Sequence, residues 1–121
     1  MRGLTLALIV ASILPLAAQA GEADVIAATV DHRSGRIYDF DVTIRSRETG
    51  WERYANRIEV LGPDGKILST RVLEHPHEQE QPFTRDVTGV EVPRGVTEVT
   101  IRAHHKPAGY DGATLRVTLP R

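Results

Sequence analysis

An all-β fold is predicted: seven short strands in an antiparallel sandwich of the immunoglobulin or fibronectin type III kind. Three observations predict it. Apolar and polar residues alternate with a period of two in Tyr38–Arg45, Val99–His104 and Leu115–Leu119, which puts the apolar side chains on one face, as a half-buried strand requires. No window long enough for a helix carries an apolar stripe at helical spacing. Turn chemistry recurs at short, regular intervals, the pattern of a sandwich or barrel.

Each strand follows from its neighbouring turns. Residues 24–30 and 36–45 are separated by a turn around Ser34-Gly35. Residues 53–61 and 66–73 are joined by Gly62-Pro63-Asp64-Gly65, where Pro63 presets φ and Gly65 takes the left-handed conformation that closes a hairpin. Residues 82–89 form the fifth strand, and its phase puts Arg85 between Phe83 and Val87 on one face, so a bulge or register change is expected there. Pro93-Arg94-Gly95 leads into residues 97–104, and the Pro107–Gly112 loop into residues 113–119. The immunoglobulin cysteine pair is missing and Trp51 lies in a loop; a small closed barrel is the alternative architecture.

Residues 1–20 read as a signal peptide: Arg2 supplies a positive start, an apolar run follows from Leu4 to Leu16, and Ala18-Gln19-Ala20 is a small-x-small cleavage site. An uncleaved anchor is the alternative. No cysteine stands at the cleavage point, which excludes lipidation there. Residues 21–121 then form one domain, large enough for a core without staples. A periplasmic or secreted location is expected, with no membrane insertion once the leader is removed.

The chain of 121 residues has 15 Lys+Arg against 16 Asp+Glu, and this near-neutral balance argues against a nucleic-acid partner. With no cysteine, thiol chemistry is excluded. Ser34, Ser46 and Ser69 stand in no nucleophile context, and no glycine-rich phosphate loop occurs. A non-enzymatic role is therefore expected, with the chain acting as a monomer.

The stretch Glu74-His75-Pro76-His77-Glu78-Gln79-Glu80-Gln81-Pro82-Phe83-Thr84-Arg85, with Gly89-Val90-Glu91-Val92-Pro93 and Gly109-Tyr110-Asp111-Gly112, resembles a group of small exported bacterial proteins of unassigned function. The resemblance covers roughly Gly50 to Leu119. It implies a periplasmic or secreted β-sandwich and supplies no catalytic residues.

In a seven-strand sandwich the second, fourth and sixth connections share one end. Here those are Ser46–Glu52, Glu74–Gln81 and His105–Gly112. His75, His77, His104 and His105 fall in or beside them, and His75 and His77, two apart, point the same way in an extended segment. With a third imidazole they would suit copper or zinc. The plainer account is an exposed turn and the polar end of a strand. The other expectation is a binding surface for a protein or small ligand, made by Trp51, Glu78, Glu80, Arg85, Tyr110 and Asp111. If Arg85 points inward it needs a carboxylate partner such as Asp86, Glu91 or a sheet neighbour.

Overall fold

Alternation of side chains lets each strand bury one face, and two such sheets cover each other. The computed structural model describes residues 9–10 and 20–121. Most of the expected leader therefore lies outside the described residues. The elements are β1 (Ile9–Val10), β2 (Ala23–Ser34), β3 (Ile37–Ser46), β4 (Tyr54–Leu61), β5 (Ile67–Val72), β6 (Phe83–Glu91), β7 (Glu98–Lys106) and β8 (Leu115–Thr118). The described residues contain no helix. All seven expected strands are present, with β1 in addition.

The strands form two separate antiparallel sheets, ordered β1-β2-β3-β6 and β5-β4-β7-β8. Two sheets, not one closed sheet, remove the barrel alternative. The core is the inner faces: Val25, Val30, Phe40, Val42 and Ile44 from one sheet meet Ile58, Val60, Ile101, Leu115 and Val117 from the other. Hairpins join β2 to β3, β4 to β5 and β7 to β8, while the β3–β4, β5–β6 and β6–β7 connections cross between sheets.

The β4–β5 turn is as expected. Gly65 donates its N–H to the Gly62 carbonyl at 2.9 Å and has φ of 84°. The pairing shifts by one residue between Val60 and Leu61, which accommodates the extra turn residue.

The irregularity in β6 is not where the position of Arg85 suggested. Arg85 pairs with Val42 in regular register. The shift lies further on, where Thr88 and Gly89 face Asp39 alone; Gly89 has φ of 67° and donates its N–H to Asp39 Oδ1 at 2.8 Å. An inward Arg85 is tolerated because β6 is an edge strand. Its guanidinium leaves over the rim, crosses the Phe83 ring with Cζ 5.5 Å from the centroid, and pairs with Glu80 at 2.9 Å. The partner is thus Glu80, not Asp86 or Glu91. Arg71 does the same from β5, the facing edge, and bonds Asp86 on β6, so an ion pair closes the open side between the sheets. Inward charges on edge strands also discourage pairing with a strand from another chain.

Candidate binding surface

The second, fourth and sixth connections do converge, and Glu48 does most to hold them. Its carboxylate accepts from the Ser46 hydroxyl, from Ala55 N–H at 3.1 Å, and from His77 N–H. Gln81 joins the same group, accepting Ser46 N–H at 2.8 Å and donating to the His77 carbonyl at 3.0 Å. At the start of β2, Glu22 binds Arg53 at 2.8 Å, and its own N–H reaches Asp111 Oδ1 at 3.1 Å. Asp111 therefore serves to fasten the segment that leads into β2. Gly112 lies so close to the start of β2 that a Cβ there would stand 1.7 Å from the Ala23 carbonyl oxygen.

The histidines do not assemble into a metal centre. His75 and His77 lie together, ring centroids 4.9 Å apart. His75 is exposed and its Nδ1 turns back to the Pro76 carbonyl at 3.0 Å. His77 is 6% exposed and stacked on Phe83 at 4.2 Å, with Nδ1 buried and without a hydrogen-bond partner. Burial, reinforced by the Arg85 charge, holds the His77 pKa below the usual imidazole value. His104 and His105 are adjacent on β7 and so face opposite sides of the sheet. His105 is fully buried: Nε2 donates to the Arg47 carbonyl at 3.0 Å and Nδ1 accepts Ala108 N–H at 3.3 Å, which occupies both nitrogens. His104 lies on the outer face, its Nδ1 on Asn56 Oδ1 at 2.7 Å. Among the described residues no group of three or more ligating side chains forms. This geometry lends the copper or zinc expectation no support.

The outer face of the β5-β4-β7-β8 sheet carries the less expected cluster. Ile58 and Ile101 point into the core, so Arg57, Glu59, Arg102 and His104 point out, with Arg57 opposite His104 and Glu59 opposite Arg102. Glu59 is only 2% exposed. It accepts Arg57 Nε at 2.8 Å, Arg102 Nε at 2.7 Å and the Tyr110 hydroxyl at 2.9 Å. Burial alone would raise its pKa; the three donors outweigh burial and hold it below the usual carboxylate range. Tyr110 folds over from the β7–β8 loop, with its ring 3.8 Å from Arg102 Cζ and edge-on to His104 at 4.8 Å.

Around this cluster the face is open. Ile67 and Val72 of β5 lie opposite Leu61 and Arg57 and share their outward side. Tyr54, opposite Lys106, is on that side too, and Trp51 packs edge-on against it at 5.6 Å. Trp51 (59% exposed), Val72 (55%), Ile67 (50%) and Tyr110 (43%) are the exposed large hydrophobic residues among those described, and they gather on this face and its margin. Of the residues expected at a binding surface, Trp51 and Tyr110 therefore belong to it. Glu78 is an exposed loop residue beside Gly50, and Glu80, Arg85 and Asp111 are engaged as described. At the far end, Gly62, Pro63, Lys66, Leu68, Pro93 and Val96 line a shallow cleft of about 380 Å³.

Sequence reasoning did not single out Glu48, Arg57, Glu59 or Arg102. Glu59 alternates with Ile58 and Val60 as any solvent-facing strand residue does, and only the cross-strand register shows its partners.

The chain is a two-sheet antiparallel β protein with an aromatic, arginine-bearing sheet face. It is similar to a protein of Halomicrobium mukohataei that bears the name "Putative lipoprotein", 38% identical over 96 residues, which are 79% of this chain and 47% of that protein. The chain thus spans about half the length of the curated relative it matches. No family model and no solved structure matches it.

Proposed function

We propose that the protein is an exported, non-enzymatic binding module of the cell envelope, a sandwich of the immunoglobulin or fibronectin type III class that engages its partner through the outer face of the β5-β4-β7-β8 sheet. One observation carries the reading: Trp51, Ile67, Val72 and Tyr110, the exposed large hydrophobic residues of the described chain, collect there among Arg57, Arg102 and Lys106. Exposed apolar patches with aromatic and arginine residues are the composition of protein contact surfaces. Export to the periplasm or medium is supported by the leader-like residues 1–20 and by the name of the Halomicrobium relative. A non-enzymatic role is supported by the loop-end chemistry, where Glu48, His105 and Asp111 spend their polar atoms on backbone groups.

Site-specific photo-crosslinking tests the reading. A photoreactive residue at Val72 or Trp51, in the protein exported by the cells that make it, is expected to give adducts. The same residue at Lys66, on the β4–β5 turn, should give none. Equal adducts at all three positions, or none anywhere, would overturn the proposal.

A further inference from the structure

The two outer faces carry opposite charge. Outward positions of the β5-β4-β7-β8 sheet hold Arg57, Arg102, Lys106 and Arg116 against Glu59 and Glu98. On the β2-β3-β6 side, Asp31 lies directly opposite Asp39 and Asp41 directly opposite Asp86, against Arg33 and Arg45. Like charges opposite one another across strands repel. Arg33 neutralises Asp39 at 2.7 Å and Arg71 reaches Asp86, but Asp31 and Asp41 are exposed and make no ion pair among the described residues. A chain with a formal net charge of only −1 thus divides its charge between two sides.

We infer that the partner of the basic face is a second copy of this chain, which presents its aspartate face. This deepens the binding role proposed above and rests on it. The contact joins two different surfaces, so it is heterologous and extends copy upon copy unless the rotation closes a ring. Edge-to-edge pairing through β5 or β6 is disfavoured by the inward Arg71 and Arg85. Charge complementarity steers and orients the face-to-face contact. Its strength follows from area: four strands at about 4.8 Å spacing and about eight residues of about 3.3 Å rise give a footprint on the order of 500 Å². Stable complexes bury roughly 800 Å² per partner. The association is therefore weak, reversible and sensitive to salt.

Sedimentation equilibrium of the exported protein tests it, at low salt (about 10 mM) and high salt (about 500 mM), where the Debye length shrinks severalfold. The expected result is a weight-average mass that rises with concentration beyond that of one chain at low salt and returns to one chain at high salt. D31K/D41K and K106E/R116E should each be monomeric alone, and their equimolar mixture should associate again, because the charges then complement across variants. A wild type that stays monomeric at low salt up to about millimolar concentration would overturn the inference, as would a mixture that fails to associate. A cross-link from Val72 to a different protein, with a monomeric wild type, would sink the self-association and leave the binding role standing.

Discussion

The Arg102 guanidinium lies 3.8 Å from the centre of the Tyr110 ring while its Nε donates to buried Glu59 at 2.7 Å. One arginine thus ties a loop aromatic to a strand carboxylate, and the outward shape of the sheet depends on that tie. Truncating either partner leaves the others poorly satisfied.

Replacing Glu59 by Gln should therefore lower stability by about 1–3 kcal/mol, less than for a fully buried pair because Arg57 and Arg102 keep partial access to water. The Glu59 pKa is held below its ordinary value in the folded state. Its contribution is then complete above the ordinary carboxylate pKa and is lost as pH falls through the lowered one. Urea unfolding at several pH values between about 7 and 3 should show the wild type losing more stability than Glu59→Gln. Equal losses would mean that Glu59 is not ionised in this cluster.

His77 makes a separate acid-side contribution. Its pKa is lowered, chiefly by burial and then by Arg85, so the folded state resists protonation. Stability from this group is full above the ordinary imidazole value of about 6.5 and declines as pH falls from there toward the folded value. His77→Phe keeps an aromatic ring against Phe83 and removes the orphaned Nδ1. The melting temperature of this variant should fall less between pH 8 and pH 5 than that of the wild type.

Two glycines should respond for different reasons. A Cβ on Gly65 meets nothing within 4 Å, so Gly65→Ala should cost about 1 kcal/mol through the φ of 84° alone, and Gly65→Asn less. Gly112 has no such freedom, because its Cβ would overlap the Ala23 carbonyl. Gly112→Ala should be the more damaging change in thermal unfolding. The reverse order would contradict the close approach of the start of β2 to the β7–β8 loop.

Cleavage after Ala20 is expected from Ala18-Gln19-Ala20. Intact mass spectrometry of the exported protein should give Gly21–Arg121. Full-length chain retained in the membrane would show that residues 1–20 act as an anchor instead.

Alternation in Tyr38–Arg45 and Val99–His104 states which side chains go inside, and the Gly62–Gly65 turn states where the chain reverses, so the strands and the convergence of three loops were legible from residues alone. Alternation does not state register. Glu59 reads as solvent-facing until it is set opposite Arg102, and Asp41 reads as ordinary until it is set opposite Asp86. For the histidines the limit is related: the alternation of connections brings four imidazoles to one end, but the pleat sends His104 and His105 to opposite sides, and His77 sinks onto Phe83. The phase of the fifth strand sets Arg85 beside Phe83 and Val87, but whether a bulge turns it away, and its reach past the sheet rim to Glu80, depend on β6 being an edge.

The start of β2 and the residue after β8 are fastened at opposite poles of the sandwich. Glu22 is bonded to Arg53 and Asp111 at the loop end, whereas Leu119 donates its N–H to the Thr97 carbonyl at the other, 2.9 Å away. Between these two poles the outer faces of the sheets run as long flanks, and the Gly62–Gly65 turn lies at the Leu119 end. A neighbour lying alongside that axis meets one flank that is basic and one that is acidic.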